Sequence, residues 1–96
     1  MNTAEWLYES LEKIHDGTPL NHGSRQWIPV AGFRRCGTIF CIYRDEKEYC
    51  AHAGEEWPEN TPPLFGMFSL QLSWDELISE IAKKYDELRA HKIEGI

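Results

Sequence analysis

The chain has 96 residues, 42% of them hydrophobic and four of them tryptophan, and carries a formal charge of −6. That length suits one domain over residues 1–96, able to bury roughly 60–68% of its unfolded surface in one two-layer core, and the apolar content excludes a disordered chain. Net acidity argues against non-specific binding of duplex nucleic acid, which depends on neutralising several phosphates. No apolar run approaches the roughly 20 residues that span a bilayer, so the expectation is a soluble cytoplasmic protein without membrane contact.

Thr3 is placed to cap a first helix over residues 4–15, with Gly17 in the left-handed position that ends it. Leu7, Ser10, Leu11 and Ile14 form its inner stripe, Glu5, Glu9 and Glu12 project opposite, and Trp6 and Tyr8 sit on the shoulders. Residues 18–33 carry Gly and Pro punctuation. Asn21 to Ser24 reads as a turn, and Trp27 to Ala31 as a short strand that Pro29 confines to an edge or interrupts.

A β-hairpin follows, with arms at residues 36–43 and 48–53 rich in aromatic, β-branched and cysteine side chains, and with Arg44, Asp45, Glu46 and Lys47 at its turn. A four-residue loop sets Cys41 opposite Cys50, whereas a two-residue loop at Glu46 and Lys47 sets Cys41 opposite His52. Either register leaves Ile39, Cys41 and Tyr43 on one face with Glu48, Cys50 and His52, and leaves Phe40 and Ile42 with Tyr49 and Ala51 on the other, because side chains alternate with period two. Neither face is polar, so the hairpin predicts further strands and helix cover.

Glu55 to Pro63, EEWPENTPP, reads as an acidic loop around Trp57. Leu64 to Leu72 alternates as a half-buried strand, with Gly66 marking a bulge or a close contact. Ser73 and Glu76 form a capping box opening a second helix, in which Leu72 can staple against Leu77. Trp74, Leu77, Ile78, Ile81, Tyr85 and Leu88 make its apolar stripe, and the helix is expected to end near Arg89 to Lys92. The fold class is therefore α+β: a small antiparallel sheet of three to four strands packed with an N-terminal and a C-terminal helix.

Three cysteines cannot all pair within one chain, and Cys36, Cys41 and Cys50 lie in strand-like sequence as small buried groups of a reducing compartment. Together with His52 they supply Cys3His ligand types, but without a two-residue knuckle and on mixed faces, so no metal or other cofactor is expected. A Cys50/His52 nucleophile requires the two side chains to converge from alternate positions of one strand. The acids at 55, 56 and 59 lack the burial that would raise a pKa, and no Walker loop, dinucleotide fingerprint or HExxH occurs. No catalytic residues are assigned, and no enzyme activity is expected.

Charge is uneven: residues 17–44 carry Arg25, Arg34, Arg35 and Arg44 and no acid, while residues 45–64 carry six acids against Lys47. The size and charge are those of small bacterial or phage-encoded accessory proteins, which sets the expected cytoplasm as that of a bacterium or a phage-infected host. The functional expectation is a non-catalytic protein-binding module, an inhibitor or adaptor occluding a basic surface through Asp45, Glu46, Glu55, Glu56 and Glu59, with Trp57 as aromatic anchor. The alternative is a nucleic-acid-associated accessory protein using Arg25, Arg34, Arg35 and Arg44. Homo-oligomerisation is compatible with either.

Overall fold

The computed structural model describes residues 2–15, 17–35, 38–54 and 64–94. Helix α1 (Thr3–Ser10) is capped by Asn2, whose Oδ1 accepts the Glu5 amide at 2.9 Å. The expected cap, Thr3, instead donates its hydroxyl to Asp86 Oδ1 at 2.6 Å. The helix stops at Ser10, five residues before the sequence pattern predicts. Leu11 turns extended, Glu12–Lys13 becomes the two-residue strand β1 opposite Gly32 and Ala31, and the Ile14 amide donates to Val30. Leu11, Glu12 and Lys13 are good helix formers, so tertiary strand pairing overrides their propensity here. Among the described glycines a positive φ occurs at Gly23 and not at Gly17.

Strands β2 (Leu20–His22), β3 (Arg25–Arg35), β4 (Thr38–Arg44), β5 (Glu48–Gly54) and β6 (Leu64–Ser69) complete a six-stranded antiparallel sheet. Its order is β1-β3-β4-β5-β6, with β2 paired to the first half of β3. The three or four strands expected are thus exceeded, because the residues of β1 lie within a helical sequence pattern and those of β2 overlap the turn signal at Asn21 to Ser24. Pro29 lies between the β3 segments that meet β2 (Arg25 to Trp27) and β1 (Ala31 and Gly32), and the β3–β4 register shifts there. A residue without an N–H interrupts the ladder at a point where no ladder is continuous.

The central hairpin takes the two-residue loop: Tyr43 faces Cys50 and Cys41 faces His52. In the β5–β6 pair, Ala51 meets Gly66 while His52 meets Leu64, so Phe65 is an extra residue and the bulge expected near Gly66 is present. Strand β6 ends at Ser69, where the Ser69 carbonyl accepts the Leu72 amide at 3.3 Å and its hydroxyl accepts the Gln71 amide at 3.1 Å.

Helix α2 (Trp74–Glu94) opens on the expected capping box: Ser73 Oγ accepts the Glu76 amide at 3.2 Å and Glu76 Oε1 accepts the Ser73 amide at 3.1 Å. The Ser73 amide foremost, and then the Ser73 hydroxyl, hold the Glu76 carboxyl below its ordinary value. The two helices run antiparallel, since Thr3 meets Asp86 while the Tyr8 hydroxyl meets Asp75 near the start of α2. Leu7, Leu77, Ile78, Ile81 and Ala82 pack with Phe40, Ile42 and Ala51 from one sheet face. Trp6 closes this core against Phe33 and Tyr85, at centroid distances of 5.2 and 5.9 Å. Leu88, the last residue of the apolar stripe that the sequence pattern predicts, is exposed.

The opposite sheet face holds a second cluster of Trp27, Tyr43 and Cys50, with Leu20 and Cys41 against it and no helix residue. No helix among the described residues is long and apolar enough to cross a membrane.

Candidate functional site

Two hairpin turns meet at one end of the sheet. The first, Gly23-Ser24, joins β2 to β3 with His22 opposite Arg25. Gly23 has φ +62° and open space around it, the left-handed backbone that tight hairpin loops require of their central residues. The second is built on Asp45, whose amide donates to the Glu48 carbonyl at 3.0 Å and whose Oδ1 accepts the Lys47 and Glu48 amides, both at 2.8 Å.

Arg25 ties the two turns together. Its Nε donates to Asp45 Oδ2 at 2.6 Å, its Nη2 pairs with Asp45 and reaches Glu48 Oε1 at 2.9 Å, and its guanidinium lies 4.3 Å from the Trp27 ring centroid. Its hydrogen bonds, first to Glu48 and then to Asp45, push the Arg25 pKa up. Burial pushes the Asp45 carboxyl up, but the Lys47 and Glu48 amides and Arg25 together outweigh it and hold the group below its ordinary value.

Beside this clamp lies a cleft of about 390 Å³ lined by Ser24, Arg25, Gln26, Ile28, Arg44, Asp45, Glu46 and Lys47. Ile28 is 43% exposed at its rim. Arg44, Glu46 and Lys47 are exposed, so charges of both signs face outward while Asp45 and Glu48 are engaged within the chain.

The expected site residues fall in three places. Asp45 is half-buried in the Arg25 clamp and Glu46 is exposed at the turn tip, whereas Glu55, Glu56, Trp57 and Glu59 lie outside the described residues. The arginines do not gather. Arg25 is paired, Arg44 stands opposite Ile28, and Arg34 stands opposite Ile39, six residues or about 20 Å further along β3 and on the other sheet face. Arg35 ends β3 opposite Thr38, and its side chain lies outside the description. The clamp had no short-range signal, since its partners are 20 and 23 residues apart. The Gly23-Ser24 pair, a two-residue hairpin loop, is the signal that could have placed Arg25 at the start of a strand.

The second cluster brings Cys50 and His52 together as a nucleophile would need: Sγ lies 3.4 Å from Nε2, because side-chain reach closes the gap between alternate residues. Its electrostatics point the other way. Cys50 is 2% exposed, and burial foremost pushes its thiol up to about 12. At neutral pH that sulfur is a thiol and not the nucleophilic thiolate. Burial also raises Cys41 and Tyr43, and the Tyr43 ring meets His52 edge-on at 5.5 Å. The arrangement pairs a buried thiol with a half-buried imidazole beside the Tyr43 ring. Cys36 lies outside the described residues, and among those described no group of three or more His, Cys, Asp or Glu side chains is set to hold a metal.

Compared with protein-family models, with curated proteins and with solved structures, the chain matches none significantly.

Proposed function

We propose that the chain is a non-catalytic binding module, an inhibitor or adaptor, that docks on a partner protein through the two-turn end of its sheet. The observation carrying this reading is the Arg25 clamp, which joins two turns into one surface beside an open cleft and leaves Ile28, Arg44, Glu46 and Lys47 outward. Surfaces ordered before binding lose less conformational freedom on association. Exposed charge around an apolar contact sets docking orientation and on-rate.

Since Arg25 neutralises Asp45 and Glu48, the acidity of this end rests on Glu46; Glu55, Glu56 and Glu59, with Trp57 as anchor, follow Gly54, which stands opposite Ile39 at the other end of the hairpin, and supply a second contact to the basic surface. Arg44 and Lys47 supply the opposite sign at the rim. The module acts in the cytoplasm of a bacterium or an infected host, where Cys41 and Cys50 stay reduced, as both are here.

The test is capture of the partner from the native cell or its host, followed by binding measurements on three folded variants. Glu46/Glu55/Glu56/Glu59→Gln should weaken binding and flatten its salt dependence, Trp57→Ala should slow no encounter but speed dissociation, and Arg25→Gln should weaken binding by loosening both turns. Unchanged affinity in all three would refute the proposed surface.

A further inference from the structure

Strand β6 ends the sheet, and its outer edge is the longest the described residues leave open; the opposite end is the two-residue, charged β1. Which backbone groups face outward follows from the central turn. The Asp45 amide bonds the Glu48 carbonyl, so the 45/48, 43/50 and 41/52 pairs are the hydrogen-bonded ones, and the groups of Tyr49 and Ala51 turn the other way, toward Phe68 and Gly66. Met67 and Ser69 therefore direct their N–H and C=O away from the sheet. The Ser69 carbonyl takes the Leu72 amide, which, among the described residues, leaves the Met67 N–H and C=O and the Ser69 N–H as the unmet groups of the regular stretch from Gly66 to Ser69.

Edges of monomeric sheets are usually guarded by Lys, Pro, inward charge or extreme shortness. Strand β6, LFGMFS, has six residues, no charge and no proline. Its bulge sits at Phe65, so Gly66 to Ser69 keeps a regular register. The Met67 side chain is 39% exposed on the sheet face away from the helices.

The geometry points to β6 as a self-pairing edge: two copies of the chain join antiparallel through it, about a two-fold axis at Met67. The register is self-complementary. Each Met67 N–H donates to the Met67 carbonyl of the second copy, and each Ser69 comes opposite the second copy's Phe65, where the bulge ends the regular pairing. On the helix face Gly66 comes opposite the second copy's Phe68, small against large, and on the other face the two Met67 side chains meet and lose their exposure. An isologous contact of this kind closes at two copies. Because the strand itself is uncharged while each chain carries −6, screening of the long-range repulsion makes the dimer tighter as salt rises.

Sedimentation velocity on the full chain tests this. The expected species is about 22 kDa, against 11.2 kDa for one chain, with a dissociation constant that falls between low and high salt. Met67→Pro removes an N–H that bonds nothing among the described residues, and Met67→Lys places a guard charge on the edge; each should keep the wild-type circular dichroism spectrum and weaken the dimer about tenfold or more. Amide exchange at Met67 should slow with protein concentration, which reads the same contact without a variant should Met67→Pro fail to fold. A wild-type chain that stays monomeric, a dimer untouched by both folded substitutions, or Met67 exchange independent of concentration would each overturn the inference.

Discussion

Gly32 lies in β3 between Glu12 of β1 and Cys41 of β4, and a Cβ built there would stand 2.8 Å from the Phe40 carbonyl oxygen. Ordinary contact begins about 0.6 Å further out, and the obstacle is backbone held in the middle of the sheet, so Gly32→Ala must separate β3 from β4 locally. Overpacking of this kind costs about 1–3 kcal/mol, while replacing glycine returns about 0.4–1 kcal/mol through the unfolded chain. The net expectation is a loss of about 1–2 kcal/mol, equivalent to a midpoint about 5–10 °C lower for a domain of this size. Gly66→Ala is the matched control. Its Cβ would meet the far end of the Phe68 ring at 2.7 Å, which can rotate away, so its cost should be clearly smaller. Urea denaturation of both variants, at concentrations below self-association, measures the difference. A Gly32→Ala protein as stable as wild type, or less affected than Gly66→Ala, would refute the reasoning.

Ser73→Ala removes the acceptor for the Glu76 amide and should cost about 1 kcal/mol in the same denaturation assay, whereas Ser73→Asp should retain most of the stability. Asp45 and Glu76 both titrate below their ordinary values of 3.8 and 4.5 in the folded chain. Their contributions are thus complete at neutral pH and disappear as pH falls through those values toward the lower folded ones. Asp45→Asn, which keeps an acceptor for the two amides but loses the charge facing Arg25, should flatten the stability–pH curve below about pH 4. Cys50, its thiol pushed up to about 12 and 2% exposed, should escape iodoacetamide at neutral pH in native protein and react after urea unfolding. Peptide mapping reads this, and rapid native labelling of Cys50 would contradict the buried-thiol assignment.

Some of this architecture was written locally enough to read from the chain. The Ser73/Glu76 capping box needs only residues three apart, and its bonds form as expected. The division of the hairpin into a Phe40/Ile42/Ala51 face and a Tyr43/Cys50 face follows from strand periodicity alone, and the two clusters separate along it. Asp45 was already the residue flanking the shorter of two possible turns, and its side chain bonding two following amides selects that register.

Three features depended on partners distant in sequence. Leu11 to Lys13 has helical propensity, yet pairing with Ala31 and Gly32 ends α1 at Ser10, because an eight-residue helix gains too little from its own bonds to resist a strand contact. Arg25 belonged to a basic stretch by its neighbours, and its charge is neutralised by Asp45 and Glu48 once two hairpins fold side by side. Cys50 and His52 approach within 3.4 Å, but burial, which the sequence does not state, decides that the pair is a thiol and an imidazole and not a nucleophile with its base. Periodicity and capping act within a few residues, so sequence alone determined them; the β1–β3 pairing, the Arg25 ion pairs and the desolvation of Cys50 exist only after segments distant in the chain have packed, and tertiary structure decided those.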